Sequence, residues 1–427
     1  MVKANDIKLK SWLPVSEESD FPIQNIPFGV FRTVDKDAAI ASRIGDTVID
    51  LSVLADLGYF NGLGIHDMAP FYAPRLNYFI ELGKETTSAV RNRIAELFSD
   101  ACNELQENRE AREKALHHIS DVEMLMPVRV GDYTDFYSSI EHATNVGIMF
   151  RDPQNALLPN WKHIPVGYHG RSSSIVVSGT NIHRPMGQTK ADDAAMPSFG
   201  PSRLVDFELE MAFITSNSTP LGRPVPIGAA EDYIFGLVLF NDLSARDIQK
   251  WEYVPLGPFL GKNFGSVISP WIVTLEALEP FRVDGPEQDP PVLPYLQFEG
   301  KKSFDIQLEV VLKPKDGEEN LICKSNFKYM YWNMAQQLAH QTVNGCNINP
   351  GDMYGSGTIS GPTPDSYGSM LELSWKGTKP LKLNDGSERK FIQDHDTVIM
   401  RGYAQNEHVR IGFGEATTTI LPAISAK

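Results

Sequence analysis

A pair of glutamates two residues apart is the first feature of the sequence that could do chemistry. Glu208 and Glu210 lie in a segment, residues 203–213, that alternates apolar and acidic side chains. On a β-strand such residues share a face roughly 6.5–7 Å apart, so their charges raise each other's pKa or require a cation. Taken alone, the segment is more typical of a solvent-exposed strand face, and an ion site is the alternative.

Two aspartates elsewhere in the chain favour the ion site. Asp242 follows the apolar run of residues 233–240, at the end of a predicted strand. Asp135 lies in an aromatic segment, residues 131–137, where an unpaired buried acid would be costly. Oxygen ligands of this kind suit Ca²⁺, Mg²⁺ or Mn²⁺, and no compact spacing of His and Cys supports zinc.

The residues after Asp242 fit a short helix that presents a cation, an amide and a phenol. Asp242 could cap this helix, and Pro255 would end it. At spacings of three and four, one face would then carry Arg246, Gln249 and Tyr253. These side chains could bind an oxygen-rich substrate. A surface helix with an Asp–Arg pair explains the spacing equally well.

A glycine-containing loop, residues 257–266, superficially resembles a phosphate-binding loop. It is not a Walker A loop, because the glycine gap is one residue short and Asn263 stands where Ser or Thr belongs. Lys262 could stabilise an oxyanion, or Lys262 and Ser266 could help to bind an ion. An ordinary turn is the alternative.

A histidine seven residues after Asp135 is a candidate general base. A histidine is the usual general base near neutral pH, but a lone histidine such as His142 is more often structural unless a carboxylate orients it. Glu372 lies between apolar residues on a predicted strand, residues 371–375, and would need a partner if buried. The chain has no G-x-S-x-G elbow, and Cys346 lacks a nucleophile motif, so we expect an activated water rather than a covalent nucleophile.

The N-terminal part of the chain is predicted to be a separate unit. Gly45-Asp46 joins two strand-like segments, residues 39–44 and 47–51, and is typical of a two-residue hairpin turn. A long helix is predicted over residues 88–119, because apolar residues recur there at spacings of three and four.

From about residue 131 the pattern changes to short strands separated by loops. One good helix is predicted here, over residues 330–342. We therefore predict a mainly β, α+β protein with an N-terminal domain over residues 1–127 and a large catalytic domain over residues 128–427. Short strands favour a rolled or barrel-like sheet over a doubly wound one.

Composition excludes several classes of partner. The 427 residues carry a formal charge of −15, which disfavours nucleic acid and anionic membranes but leaves room for a local basic pocket. The three cysteines form no disulfide framework. The first residues lack the apolar core of a signal peptide, and no apolar run approaches the ~18 residues of a membrane span, so we expect a cytoplasmic protein.

Several longer motifs together resemble the fumarylacetoacetate hydrolase family. The resemblance runs over nearly the whole chain. These motifs are far more specific than the metal-binding acids alone, which a wider superfamily shares. The matching segments are GDYTDFYSS at 131–139, HATNVGIMFR at 142–151, PVGYHGR at 165–171, DFELE at 206–210, SARDIQ at 244–249 and GSGTISG at 355–361.

The resemblance implies a fold, a metal centre and a base. The expected fold is a small SH3-like N-terminal barrel followed by a β-roll domain, in a homodimer. His142 would activate water and Glu372 would orient it. A Ca²⁺ or Mg²⁺ ion would be held by Asp135, Glu208, Glu210 and Asp242. A second, Mg²⁺-type site would be bordered by Asp242, Lys262 and Ser266, where the family has Thr at the last position.

The resemblance also implies a substrate site. Arg246, Gln249 and Lys262 would surround the charge that develops during cleavage. The substrate pocket would be lined by Tyr137, Arg151, Tyr168, Gln249, Tyr253 and Thr358. Arg151 could bind a terminal substrate carboxylate, which would reconcile an anionic substrate with an acidic protein.

The expected reaction is metal-dependent hydrolysis of the carbon–carbon bond of a 1,3-diketo acid, 4-fumarylacetoacetate. Its products would be fumarate and acetoacetate, at the last step of tyrosine and phenylalanine degradation. The alternatives are another superfamily activity, such as acylpyruvate hydrolysis or oxaloacetate decarboxylation, and a catalytically silent binding protein on the same fold.

Overall fold

An antiparallel sheet and five helices form the N-terminal part of the computed structural model, which describes residues 3–424. The strand order is β4-β3-β2-β1-β5. The strands are β1 Phe28–Arg32, β2 Ala39–Ile44, β3 Thr47–Asp50, β4 Leu116–His118 and β5 Glu123–Leu125. The helices are α1 Leu51–Asp56, α2 Asn77–Ile80, α3 Lys84–Phe98, α4 Asn103–Gln106 and α5 Arg109–Ala115.

The predicted hairpin is confirmed. Ile44 pairs with Thr47 across the turn, and Gly45 has φ +57°, which the left-handed turn geometry requires. Asp50 ends β3 and caps α1 by accepting hydrogen bonds from the backbone of Ser52 and Val53. The turn residues therefore fix the register of this sheet.

The single long helix predicted over residues 88–119 is wrong. The backbone turns extended at Ser99, which ends α3, and a new helix starts where Asn108 caps α5 by accepting from Ala111 N. Leu116 then enters β4 and pairs with β3. The break at Ser99 coincides with a β-bridge to Ser11, and the pairing of β4 with β3, some 70 residues earlier, ends the helical pattern at Leu116.

The larger part of the chain holds a mixed eight-stranded sheet and a five-stranded sheet. The first has the order β7-β6-β22-β13-β14-β16-β8, with β17 paired to β14, and the second has the order β21-β20-β25-β26-β9. The strands are β6 Tyr133–Phe136, β7 Gly167–His169, β8 Ile175–Val177, β9 Ile182–His183, β10 Met186–Thr189, β11 Ser198–Pro201, β12 Val205–Asp206, β13 Leu209–Thr215, β14 Ile234–Asp242, β15 Ser244–Ala245, β16 Ser266–Ile268, β17 Val273–Thr274, β18 Arg282–Val283, β19 Ser303–Phe304, β20 Gln307–Lys313, β21 Asn320–Asn326, β22 Met353–Gly355, β23 Leu381–Lys382, β24 Glu388–Arg389, β25 Thr397–Gln405 and β26 Arg410–Leu421.

Five helices accompany these strands. The helices at residues 140–150 and 275–278 are not predicted by the sequence analysis, and two others differ from its prediction. They are α6 Ile140–Phe150, α7 Arg246–Glu252, α8 Leu275–Leu278, α9 Met334–Thr342 and α10 Met370–Leu373. The helix predicted from residue 330 begins only at Met334, because Asn333 and Gln336 form a capping box there. The strand predicted over residues 371–375 is wrong, since α10 occupies it. The mixed α+β class with mostly β architecture is confirmed.

Strand β14 is central and buried on both faces. Leu237 and Leu239 pack into one core with residues of the five-stranded sheet, whereas Val238 and Phe240 pack into a second core with the N-terminal part. A strand buried on both sides must be apolar throughout, which explains its continuous hydrophobic sequence. No helix within residues 3–424 is long and apolar enough to cross a membrane.

Candidate active site

Four acids from distant parts of the chain meet at the centre of the eight-stranded sheet. Gly355 of β22 pairs with Asp135 of β6 on one side and with β13 on the other, and β14 pairs with β13 beyond it. Asp135, Glu208, Glu210 and Asp242 are all buried, and one carboxylate oxygen of each lies within 4.8 Å of the others. The predicted convergence is therefore confirmed, and a solvent-exposed strand face is excluded.

The electrostatics of this acid cluster fit a divalent cation. Burial raises the pKa of Asp135 and Glu210 well above their ordinary values, and the neighbouring carboxylates raise them further. Asp135 Oδ1 and Glu210 Oε1 are buried without a hydrogen-bond partner among residues 3–424. Gathered carboxylate oxygens with free lone pairs are the donor set that hard cations such as Ca²⁺ and Mg²⁺ prefer.

A buried lysine neutralises one side of the cluster. Lys262 Nζ donates to Glu208 Oε2 and, at 2.8 Å, to Asp242 Oδ2. Burial alone would lower the pKa of Lys262, but the two carboxylates outweigh burial and raise it. Burial likewise works to raise the pKa of Glu208, yet Lys262 and Arg246 hold it well below its usual range. Ser266 Oγ donates to Asp242 Oδ1 at 2.8 Å.

A histidine–glutamate pair lies beside the acid cluster. His142 Nδ1 is 2.7 Å from Glu372 Oε2, and both side chains are buried. Because an ionised carboxylate only accepts, Nδ1 carries the hydrogen and Nε2 is left to accept a proton. Glu208 forms an isolated β-bridge with Ser369, and the Ser369 hydroxyl donates to Glu372 Oε2 at 2.8 Å, which places the pair beside the acids.

Three further side chains hold Glu372 from other directions. Asn145 Nδ2 donates to Oε1 at 2.9 Å, Ser360 Oγ to both oxygens at 2.9 Å, and Ser369 Oγ to Oε2 at 2.8 Å. Burial would raise the pKa of Glu372, but His142 and these donors together lower it. Sequence reasoning missed all three, although Asn145 and Ser360 lie inside quoted motifs.

Arg246 connects the acid cluster to its surroundings. Its Nη1 lies 2.7 Å from Glu208 Oε1 and 3.3 Å from Gln249 Oε1, and its Nε donates to Asp206 Oδ2 at 2.8 Å. Arg246 and Gln249 therefore share one side of α7, as the spacing predicted. Helix α7 begins after Ala245 without a side-chain cap, so the capping role suggested for Asp242 is wrong.

The remaining predicted pocket residues are distributed unevenly. Tyr168 donates to Asp242 Oδ2 at 3.3 Å, and the ring of Tyr137 packs edge-on against His142 at 5.2 Å. Thr358 is buried, and its hydroxyl has no partner among the described residues. Arg151 donates to Ala156 O at 2.8 Å, and Tyr253 is 52% exposed. Tyr137, Tyr168 and Thr358 thus belong to the buried site, and Tyr253 lies at the surface.

A backbone amide completes the cluster and explains a glycine. Gly357 N donates to Glu210 Oε2 at 2.9 Å. Gly357 has φ +76°, and a Cβ placed on it would lie 2.3 Å from Phe136 O. Only glycine fits this position, and the amide that it presents fixes one ligand of the cluster.

Four buried carboxylates beside a histidine–glutamate pair and two buried cations fit a hydrolase centre that could hold a metal ion. The family model described as "Fumarylacetoacetate (FAA) hydrolase C-terminal" matches residues 133–421, and that described as "Fumarylacetoacetase N-terminal" matches residues 24–127. The chain belongs to the fumarylacetoacetate hydrolase family.

Similar proteins carry the same family name. A fumarylacetoacetase from Dictyostelium discoideum is 60% identical over 421 residues, covering 97% of this chain and 98% of that protein. A fumarylacetoacetase from Homo sapiens is 54% identical, with coverages of 97% and 99%. The solved structure of a fumarylacetoacetate hydrolase from Exiguobacterium antarcticum has a TM-score of 0.52 at 18% identity, covers 93% of this chain and 99% of its own, and shares the fold.

Proposed function

We propose that the chain is a hydrolase that cleaves the carbon–carbon bond of 4-fumarylacetoacetate and releases fumarate and acetoacetate. The observation that carries this proposal is the placement of the His142–Glu372 pair beside four buried carboxylates. Full-length relatives at 60% and 54% identity that are named fumarylacetoacetase support the substrate. The reaction would stand at the last step of tyrosine and phenylalanine degradation.

The acid cluster is proposed to hold Ca²⁺, with Mg²⁺ as a substitute. The unpaired oxygens of Asp135 and Glu210 support this assignment, since they would ligate the ion without breaking a protein hydrogen bond. When bound, such an ion supplies Lewis-acid chemistry to the two oxygens of a 1,3-diketone. A second, Mg²⁺-type site is proposed at Asp242 and Ser266, with Lys262 at its border.

The proton transfers are assigned to His142. Its Nε2 takes a proton from water as the water oxygen bonds to the carbonyl carbon of the fumaryl group, and Glu372 stabilises the imidazolium. The bond between that carbonyl carbon and the methylene then breaks, and its electron pair leaves with acetoacetate as an enolate. His142 returns its proton to the methylene carbon, so the sum is the addition of one water. A positioned base contributes about 10²–10⁴-fold, so further stabilisation is needed.

That stabilisation is assigned to the two buried cations. Arg246 and Lys262 are held by carboxylates on the acid cluster, so their charges are in place before the enolate develops. Gln249 supports Arg246 through its amide. The pocket is proposed to be lined by Tyr137, Arg151, Tyr168, Tyr253 and Thr358, with Arg151 on a terminal carboxylate of the substrate.

Domain division and assembly follow as secondary proposals. The boundary between residues 127 and 128 is supported by the two family models, which end and begin at 127 and 133. A homodimer is supported by a run of exposed apolar side chains that begins at the end of α7 and continues beyond it, namely Trp251, Val254, Leu256, Phe259 and Leu260. The cytoplasmic location stays a prediction.

The ultraviolet absorbance of fumarylacetoacetate tests the proposed function. We expect its absorbance to fall on addition of the protein, the loss to stop with a chelator, and Ca²⁺ or Mg²⁺ to restore it. An acylpyruvate and oxaloacetate are the comparison substrates, scored by kcat/KM. If kcat/KM is higher for the acylpyruvate or for oxaloacetate, that compound replaces fumarylacetoacetate as the proposed substrate. If none of the three is cleaved in the presence of added ion, the alternative of a catalytically silent binding protein is favoured.

A further inference from the structure

Asp206 touches two parts of the proposed catalytic apparatus at once. It is fully buried on β12, where it pairs with Ser244, two residues before Arg246. Its Oδ2 accepts from Arg246 Nε at 2.8 Å and from Leu371 N at 3.1 Å, and its Oδ1 accepts from Met370 N at 2.7 Å. Both oxygens are thus used, and none of these contacts involves the acid cluster.

The first contact fixes the direction of the guanidinium group. A guanidinium is planar and rigid, so holding two of its nitrogens determines where the third lies. Asp206 holds Nε, and Glu208 holds Nη1 at 2.7 Å. Nη2 is buried and has no partner within residues 3–424, so it is the nitrogen available to a ligand.

The second contact fixes the short helix that carries Glu372. Met370 and Leu371 begin α10, and their amides are among those that a helix start leaves unsatisfied. Asp206 accepts from both, while Ser369 Oγ accepts from Glu372 N at 3.3 Å. A helix of four residues has little stability of its own, so these contacts determine where Glu372 stands.

We propose that Asp206 is a positioning residue that sets the separation between the Arg246 cation and the Glu372–His142 pair. Its carboxylate acts through those groups and does not touch the substrate. The inference rests on the proposed function for the roles of Arg246 and His142, whereas the coupling of Asp206 to Arg246 and to α10 stands on the structure alone.

Kinetics of the variant D206N give the first test. Asparagine keeps the shape but turns one acceptor into a donor that faces Arg246 Nε or the α10 amides. We expect kcat to fall roughly a hundredfold, as a displaced catalytic group does, with KM within about threefold and one Ca²⁺ still bound per chain. The matched control is D394N, because Asp394 also pairs with a 10%-exposed arginine, Arg184, whose other hydrogen bonds go to Ser202 O and Ile392 O. Normal kcat in D206N, or an equal loss in D394N, would overturn the proposal.

A double-mutant cycle separates positioning from a general structural role. If Asp206 acts partly through Arg246 and partly through α10, D206N should reduce kcat by a smaller factor in R246A than in the unmodified protein, whereas independent roles would multiply. The same cycle on thermal unfolding measures coupling without turnover. If the unfolding data show that Asp206 and Arg246 are coupled but the unmodified protein cleaves no substrate, only the proposed function is wrong. If the unmodified protein cleaves fumarylacetoacetate but Asp206 and Arg246 are not coupled, only the inference about Asp206 is wrong.

A rescue experiment covers the case in which D206N does not fold. In R246A we expect millimolar guanidinium ion to raise kcat at least tenfold, because Asp206 and Glu208 still form the site that binds a guanidinium group. The control is the same addition to R184A, which should change nothing. If guanidinium leaves kcat of folded, Ca²⁺-loaded R246A unchanged, Asp206 does not help to form a guanidinium-binding site.

Discussion

His142 Nδ1 and Glu372 Oε2 lie 2.7 Å apart, although 230 residues separate them in the chain. The contact joins α6 to α10, and Asn145, Ser360 and Ser369 fix the carboxylate from other sides. A base that is already oriented, with its free nitrogen defined, needs no rearrangement when substrate arrives. The predictions below follow from this pair and from the acid cluster beside it.

Removing the charge of Glu372 should impair turnover without removing the ion. In E372Q the imidazolium that forms during water activation loses its stabilising carboxylate, so we expect kcat to fall on the order of 10²-fold with little change in KM. Steady-state kinetics measure it, and E388Q at an exposed position is the control. Unchanged kcat in E372Q would reject the orienting role of Glu372.

Ion affinity should depend on pH. Burial raises the pKa of Asp135 and Glu210, so the folded, ion-free protein keeps protons that the unfolded chain has lost. Ion binding must displace these protons, so affinity for Ca²⁺ should fall as the pH is lowered. Calorimetry in two buffers of different ionisation enthalpy measures the release. Binding without proton release would show that both groups are already ionised.

The same shift has a consequence for stability. Because the folded state binds more protons than the unfolded one, the ion-free protein should lose stability as pH rises above the unfolded-state pKa of about 4. Bound Ca²⁺ replaces those protons, so the gain in Tm on adding the ion should widen with pH. D135N removes one of the two groups and should narrow that gain.

Replacing Gly357 should damage both stability and ion binding. Alanine is strained at φ +76°, and its Cβ would lie 2.3 Å from Phe136 O, so the amide on Glu210 must move. We expect G357A to lose at least about 1–3 kcal/mol of unfolding free energy and to bind Ca²⁺ more weakly. In the control G228A an added methyl meets nothing within 4 Å. Equal Tm values and affinities for the two variants would contradict this reading.

Arg151 is predicted to act on binding more than on chemistry. If its guanidinium holds a terminal carboxylate of the substrate, R151A should raise KM by about tenfold or more and leave kcat within about threefold. Arg171, an exposed residue that donates to Ser173, provides the control R171A. A loss confined to kcat would assign Arg151 to the transition state instead.

The acid cluster was predictable because residue type limits what a buried set of oxygens can do. Burying a single unpaired carboxylate is costly, and a buried group of four needs a positive charge to offset it. The four acids of the cluster are Asp135, Glu208, Glu210 and Asp242. The resemblance pointed to the same four. The apolar run before Asp242 predicted a strand that ends at this acid, and β14 is that strand.

The surroundings of Glu372 were not predictable from local sequence. The segment around it alternates as a strand would, yet Ser369 caps a helix start and Asp206, 164 residues from Met370, accepts its amide hydrogen. The helical pattern over residues 88–119 failed for the same reason, since Ser99 bridges to Ser11 where α3 ends and β4 pairs with β3 where α5 ends. Long-range hydrogen bonds of this kind leave no periodic signal.

The variant H142A, assayed for turnover and for bound ion in one preparation, tests the central claim most directly. With the acid cluster intact and the base removed, we predict one Ca²⁺ per chain with unchanged affinity and a kcat at least about 10²-fold lower. Near-normal cleavage of fumarylacetoacetate by Ca²⁺-loaded H142A would contradict the assignment of His142 as the base.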